Sequence, residues 1–235
     1  MFINIRGTFG SGKTTVVRRL MEELVRRGAL DEPMIEPVAR LENKNKFMGH
    51  KFAPVTGLQK PVVFIGKYGH VACGGADGLS WKGAHEDIEA FIKRNIDTCH
   101  IVLEGSITSG GSRYNRIGTE LKAQGINSIY FHMATPKEVC VERVISRRQK
   151  KFEENLAKAQ AKGKTVEPRK AFDRANLDKL FIVCDKQEQK TLALGLTLLK
   201  IESNEEVGKY IVSLLKADEH STNGNSRENT QSPST

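Results

Sequence analysis

Cysteine is scarce and poorly placed for chemistry. The four cysteines, Cys73, Cys99, Cys140 and Cys184, are scattered, and no two have the spacing of a metal knuckle or a redox pair. That argues against a disulfide-built secreted fold and for a reduced cytosolic chain. Long apolar runs are missing too, since none approaches the ~20 residues a membrane-crossing helix needs. A glycine-rich segment starting at residue 7 leaves no room for a signal peptide, so the expected location is the cytoplasm. Tryptophan occurs once, at Trp81. Acid falls short of base, with 28 Asp and Glu against 37 Lys and Arg and a net charge of +9. That excess suits a polyanionic partner, nucleic acid above all, and equally an ordinary basic enzyme that binds nucleotide phosphates. A length of 235 residues fits one α/β domain with room for a sizeable core.

What is present is organised around Gly7-Thr8-Phe9-Gly10-Ser11-Gly12-Lys13-Thr14, which reads G-x-x-x-x-G-K-T. Phe2-Ile3-Asn4-Ile5 ahead of it suits a short buried strand. From Thr15 to about Arg27 the stripe Val16, Leu20, Leu24 and Val25 predicts a helix. Strand, glycine loop and helix together make a phosphate-binding loop over residues 7–15. Glycines bring backbone N–H groups close to phosphate oxygens, and the helix N-terminus adds partial positive charge there. Lys13 reaches the terminal phosphates, and the Thr14 hydroxyl is placed for Mg²⁺.

Residues 28–60 are the least legible. Residues 31–37 contain two prolines and read as a loop or a short extended piece. Lys44, Lys46, His50, Lys51 and Lys60 make the stretch basic, either a solvated loop or a surface lying along a phosphate backbone. Residues 47–53 alternate weakly and are placed to pair as a hairpin with the next strand. That strand, 61–66, is a β-branched and aromatic run ended by glycine. The loop 67–78 leaves its carboxyl end, where open parallel sheets hold ligands. It offers Tyr68 for stacking, Lys67 for phosphate and Asp77 as a general base toward an acceptor hydroxyl; alternatively, Asp77-Gly78 is a turn. Trp81 either closes this pocket or packs.

A helix over 84–97 leads to the strand His100-Ile101-Val102-Leu103-Glu104. Glu104, an acid at a buried strand end, either serves Mg²⁺ through water, acts as a base itself or is purely structural. The Ser-, Thr- and Gly-rich segment 106–112 reads as a loop before a helix over 113–123, whose Arg113, Tyr114 and Arg116 face an acceptor phosphate, a DNA backbone or solvent. After a strand over 126–133, a helix starting at Thr135-Pro136 presents Arg143, Arg147 and Arg148. Residues 149–170, dense in Lys, Glu, Gln and Ala, read as a mobile helical lid or as a solvated charged helix, with Arg143 and Arg147 at its base placed to stabilise a moving phosphoryl group. A helix over 172–189, a strand within 194–201 and a final helix ending near Lys216 complete the domain, 1–216. Ser203 and Asn204 fall where an adenine rests against backbone or where that last helix is capped. Residues 217–235 have nothing to bury and read as a disordered tail. The element order predicts a three-layer α/β fold around a mostly parallel five-stranded sheet, with helices on both faces and a helical lid.

The phosphate loop, the Glu-ended strand and the arginine-bearing helix leading to a lid resemble the nucleoside-monophosphate-kinase branch of P-loop kinases, over nearly the whole chain to about residue 216. Thymidylate-type members carry Asp-Arg and an aromatic at the third strand's end, whereas this chain has Glu104-Gly105-Ser106. A narrower resemblance, carried by Phe64-Ile65-Gly66-Lys67-Tyr68 and Cys73-Gly74-Gly75-Ala76-Asp77, is to bacteriophage kinases that phosphorylate 5-hydroxymethyluracil bases in DNA. That resemblance implies an ATP-dependent kinase with Mg²⁺, modified DNA as acceptor and an infected bacterial host as its setting. It places Asp77 near the acceptor hydroxyl and Glu104 near the metal, with Tyr68, Trp81 and Tyr114 to stack on an extruded base. No obligate protein partner and no membrane is implied. Two other activities stay open. One is a kinase for free deoxynucleosides or nucleoside monophosphates. The other is a nucleotide-binding switch or ATPase acting on a protein partner, for which the chain offers no glutamine or arginine-finger motif to position water.

Overall fold

The structure, a computed structural model, describes residues 1–38, 44–68, 73–79, 81–105, 107–163 and 174–225. In chain order the elements are β1 (Phe2–Arg6), α1 (Lys13–Arg26), β2 (Asp31–Val38), β3 (Lys44–Phe52), β4 (Val62–Ile65), β5 (Lys67–Tyr68), β6 (Cys73–Gly75), a 3-10 turn (Ala76–Gly78), α2 (Ala84–Asn95), β7 (His100–Glu104), α3 (Ile107–Ala123), β8 (Ser128–Met133), α4 (Lys137–Gln160), α5 (Arg174–Ala193), β9 (Thr197–Ile201) and α6 (Val207–Asn225).

The main sheet runs β2-β3-β4-β7-β1-β8-β9. Its five strands from β4 to β9 are all parallel. Their runs of apolar residues alternate between two cores, as a sheet covered on both faces requires. Ile3, Ile5, Phe64, Val102 and Phe131 join the core under α1 and α6. Phe2, Val63, Ile65, Ile101, Leu103 and Tyr130 join the core under α2 and α3. Each fully buried Phe or Ile side chain in these layers contributes about 1.5–3 kcal/mol. The three-layer α/β architecture is therefore the one the element order predicts.

Several expectations need correction. The sheet has seven strands among the described residues, because β2 and β3 add an antiparallel extension to the five parallel ones. Residues 49–52 do pair antiparallel with β4, and of the two readings of the proline-bearing stretch 31–37, loop or short extended piece, the extended one holds, as strand β2. Pro33 and Pro37 are tolerated because β2 is the edge strand, where one side of the backbone has no neighbouring strand to bond. The segment expected as a loop at 106–112 is already helix from Ile107, with Ser106 outside the described residues. Residues 149–160 continue α4 as a single 24-residue helix, about 36 Å long. The rest of the expected lid, 164–170, lies outside the described residues. Finally, α6 runs past the expected domain end at 216 to Asn225, while residues 226–235 lie outside the described residues.

Candidate active site

The parallel strands all deliver their carboxyl ends to one edge of the sheet, and the loop after β1 lies at its centre. Gly10 has φ +84° and Gly12 φ +94°, conformations L side chains rarely adopt. A Cβ on Gly10 would sit 2.5 Å from the main-chain oxygen of Cys140, and one on Gly12 would sit 2.7 Å from Ser203 Oγ. Glycine here lets the loop pass directly under α4 on one side and beside the segment after β9 on the other. Polar contacts fix the loop from within. Ser11 Oγ donates to the Thr8 carbonyl at 2.8 Å, Lys13 Nζ donates to the same carbonyl at 2.9 Å, and Thr135 Oγ1 donates to the Ser11 carbonyl at 2.6 Å. The N-terminus of α1 starts at Lys13 and points its unsatisfied N–H groups into the same space.

Glu104, the last residue of β7, sits beside β1 in register with Ile5 and is 4% exposed. The Thr14 hydroxyl lies 3.4 Å from Glu104 Oε2, and Lys13 Nζ lies 4.0 Å from Oε1. From the other side, Arg143 on α4 donates from Nη1 to the Gly10 carbonyl at 3.2 Å, and Arg147 follows one turn later. These groups enclose one cavity of about 850 Å³. Its wall carries residues 9–10 and 12–15 of the loop, Glu104, Val139, Glu142, Arg143, Ser146 and Arg147 of their respective elements, and Ser203. A cavity this size, lined by a lysine, two arginines, helix N–H groups and one buried carboxylate, suits a polyphosphate. Among the described residues no three His, Cys, Asp or Glu side chains cluster as a metal cage. One carboxylate and one hydroxyl fit Mg²⁺, which keeps waters and phosphate oxygens as its other ligands.

The loop after β4 touches Glu104 through glycine, although none of its described residues lines the cavity wall. Gly75, at φ +51°, lies so close to Glu104 that a Cβ there would overlap the carboxylate Oε2. Asp77 follows two residues later in the turn Ala76–Gly78. Lys67 is half-buried, and a Cβ on Gly78 would lie 3.3 Å from its own Cβ. Residues 69–72 of this loop lie outside the described residues.

The aromatic candidates are not where the sequence placed them. Tyr68 is buried at 6% exposure, its hydroxyl donates to the Ile65 carbonyl at 3.0 Å, and its ring meets Phe64 edge-on, so it is core and not a stacking platform. Tyr114 is likewise buried, with its hydroxyl 2.8 Å from His85 Nδ1. Trp81 donates from Nε1 to Asp87 at 2.8 Å and packs on the core under α2; it does not line the cavity. Arg113 is held by Glu86 at 2.9 Å and Glu89 at 3.2 Å, and Arg116 by Glu89 at 2.7 Å, so both tie α3 to α2. Phe9 is the aromatic residue on the cavity wall and is 54% exposed. Its place within the G-x-x-x-x-G-K-T run masked it in the sequence as one of the variable positions.

Sequence reasoning also missed Arg6. It ends β1 just before the loop, 4% exposed, with its guanidinium 4.4 Å above the Tyr130 ring and Nη1 donating to Thr191 Oγ1 at 3.1 Å. Burial lowers its pKa to about 10. It fastens the loop's base to α5, and a charged residue closing a mostly apolar strand was the available signal.

No family model matches the chain. It is similar to a protein of Pseudomonas phage M6 named 5-hmdU DNA kinase, 30% identical over 150 residues, which are 62% of this chain and 71% of that one. It is also similar to the 5-hmdU DNA kinase of Pseudomonas phage PaMx11, 31% identical over 146 residues, 62% of this chain and 68% of that one.

Proposed function

We propose that this chain, which belongs to the family of phage 5-hmdU DNA kinases, transfers the γ-phosphate of ATP to the hydroxymethyl oxygen of 5-hydroxymethyluracil in DNA. The chain is a kinase, a phosphotransferase that draws on a nucleotide phosphate donor. The observation that carries the fuller reading is the shared cavity, with a phosphate loop and two arginines on one side and a carboxylate on the other.

In this reading residues 7–15 cradle the triphosphate, with Lys13 on its β- and γ-phosphates. Arg143 and Arg147 reach across from α4 and neutralise charge that builds on the transferring group. Thr14 and Glu104 hold Mg²⁺, which would supply further charge neutralisation on the phosphate oxygens. The hydroxymethyl oxygen attacks the γ-phosphorus as the bond to the β–γ bridging oxygen breaks, and ADP leaves with that electron pair. Asp77 orients the hydroxyl and accepts its proton. A base inside a duplex must leave the stack to reach this cavity. With Tyr68 and Tyr114 committed to the core, Phe9 is the aromatic face that the described residues offer to it or to the adenine.

Nucleoside analysis tests this reading. DNA containing 5-hydroxymethyluracil is incubated with the protein, ATP and Mg²⁺, digested, and weighed by mass spectrometry. The expected result is one phosphate on the hydroxymethyl nucleoside and none on thymidine from control DNA. ADP formation without that product would contradict it.

A further inference from the structure

The sequence offers three basic surfaces, and the structure separates them. On β3, Lys46 stands directly opposite Glu36 of β2, and Lys51 opposite Glu32. On α3, Arg113 and Arg116 are bound by Glu86, Glu89 and Glu120. The α3 surface is neutralised by these ion pairs, and on β3 each of the two lysines faces an acid across the ladder. The third runs along α4 from Arg143 to Lys151, where five cations occur with no acid between Glu142 and Glu153. Arg147, Lys150 and Lys151 are exposed, and among the described residues no carboxylate closes an ion pair with them.

The run is also continuous with the cavity. Arg143, Arg147 and Lys150 follow at i, i+4 and i+7, so they share one stripe of the helix. The first two line the cavity wall. Lys150 lies about 4.5 Å further along the axis, with Lys151 beside it, outside the wall. A triphosphate accounts for the inner pair and leaves the outer pair without a role. An anion that enters the cavity at one point and extends beyond it along α4 would use both. A DNA strand with one base inserted has that shape and a regular row of phosphates.

We propose that the exposed α4 lysines, Lys150 and Lys151, form the DNA-backbone contact surface that holds the strand flanking the reacting base. This rests on the proposed function. Lysines at such positions position the duplex without reading its sequence.

The test uses Lys150→Gln/Lys151→Gln, since glutamine keeps the helix and removes two charges. Helix content by circular dichroism checks the fold. Binding of a 30-base-pair duplex carrying 5-hydroxymethyluracil is followed by fluorescence anisotropy over a salt series, alongside steady-state kinetics. The double variant is expected to bind roughly tenfold or more weakly, with a salt slope smaller by about two. KM for DNA should rise, while kcat and KM for ATP stay at wild-type values. Unchanged DNA affinity and slope in the variant, with wild-type labelling of the duplex intact, would overturn this surface alone. Loss of kcat with unchanged DNA affinity would overturn it as well, by moving the lysines to the nucleotide side. Failure of the wild-type protein to label the duplex would overturn the proposed function and this surface with it.

Discussion

Gly75 rests against the Glu104 carboxylate so closely that a methyl group on it would overlap Oε2. This contact joins the loop that carries Asp77 to the strand end that faces the phosphate loop. Glycine is required twice over, for the approach and for the positive φ. Gly75→Ala is therefore expected to cost about 1–3 kcal/mol in denaturant unfolding. Phosphoryl transfer should fall by more than the loss of folded protein explains, because Glu104 must shift. A variant with wild-type stability and turnover would show that the contact is incidental.

Asp77 and Glu104 should separate in kinetics. Asp77→Asn removes the proposed base and is expected to lower kcat by about 10²–10⁴, with little change in the Mg²⁺ concentration needed for half-maximal rate. Glu104→Gln should lower kcat and raise that Mg²⁺ requirement together. Magnesium titrations of both variants decide it. If Asp77→Asn keeps full turnover, Asp77 has no part in the chemistry, and an unchanged Mg²⁺ requirement in Glu104→Gln removes Glu104 from the metal.

Gly10→Ala would drive a Cβ against the Cys140 carbonyl at 2.5 Å, in a conformation alanine resists. Separation of α4 from the loop is the expected response, carrying Arg143 away from the Gly10 carbonyl. ATP affinity should drop at least tenfold in calorimetry, and the melting temperature should fall. Wild-type ATP affinity would contradict the placement of the triphosphate under α4.

At the opposite edge of the sheet, His100 is fully buried, with Nε2 2.9 Å from Glu219 Oε1 and Nδ1 3.3 Å from the Met1 amine. That network assigns the proton to Nε2, donating to Glu219, and leaves Nδ1 to accept from the amine. Burial, then the adjacent positive amine, holds the imidazole below its ordinary 6.5, against the pull of Glu219 and Asp218. Burial pushes Glu219 up, but the Gln59 and Lys60 N–H donors and His100 outweigh it and hold its carboxyl below its ordinary 4.5. For both groups the unfolded chain takes up protons the native chain refuses. Stability is then full above about pH 6.5 and is lost as pH falls, first through the histidine and, below about 4.5, through the carboxylate. The slope from the histidine is at most about 1.4 kcal/mol per pH unit. Urea unfolding from pH 5 to 8 should show it, and His100→Gln should reduce it, leaving the part that comes from the Met1 amine and His132, both also held below their ordinary values. Equal slopes in the two proteins would contradict the assignment.

The glycine loop between β1 and α1 was legible because its glycines, lysine and threonine are fixed in spacing and its flanks repeat with strand and helix periods. The five parallel strands were legible for the same reason, each being a short apolar run. Strand β2 was legible only as one of two readings, loop or short extended piece, because Pro33 and Pro37 signal a loop unless the strand lies at an edge, which is a tertiary fact. Arg143 and Arg147 were placed by their order after β8, and the structure brings both to the cavity wall. Tyr68, Trp81, Tyr114 and Arg113 were drawn toward the site by residue type alone. Aromatic rings and arginines also serve cores and ion pairs, and only packing distinguishes the uses.

The central claim is the acceptor, and transfer of label from γ-labelled ATP tests it most directly. DNA containing 5-hydroxymethyluracil, thymine DNA and a panel of free deoxynucleosides and monophosphates are offered side by side with Mg²⁺. Label in the modified DNA alone is the predicted result. Label in the free nucleotides alone would make the chain a nucleotide kinase and contradict the account.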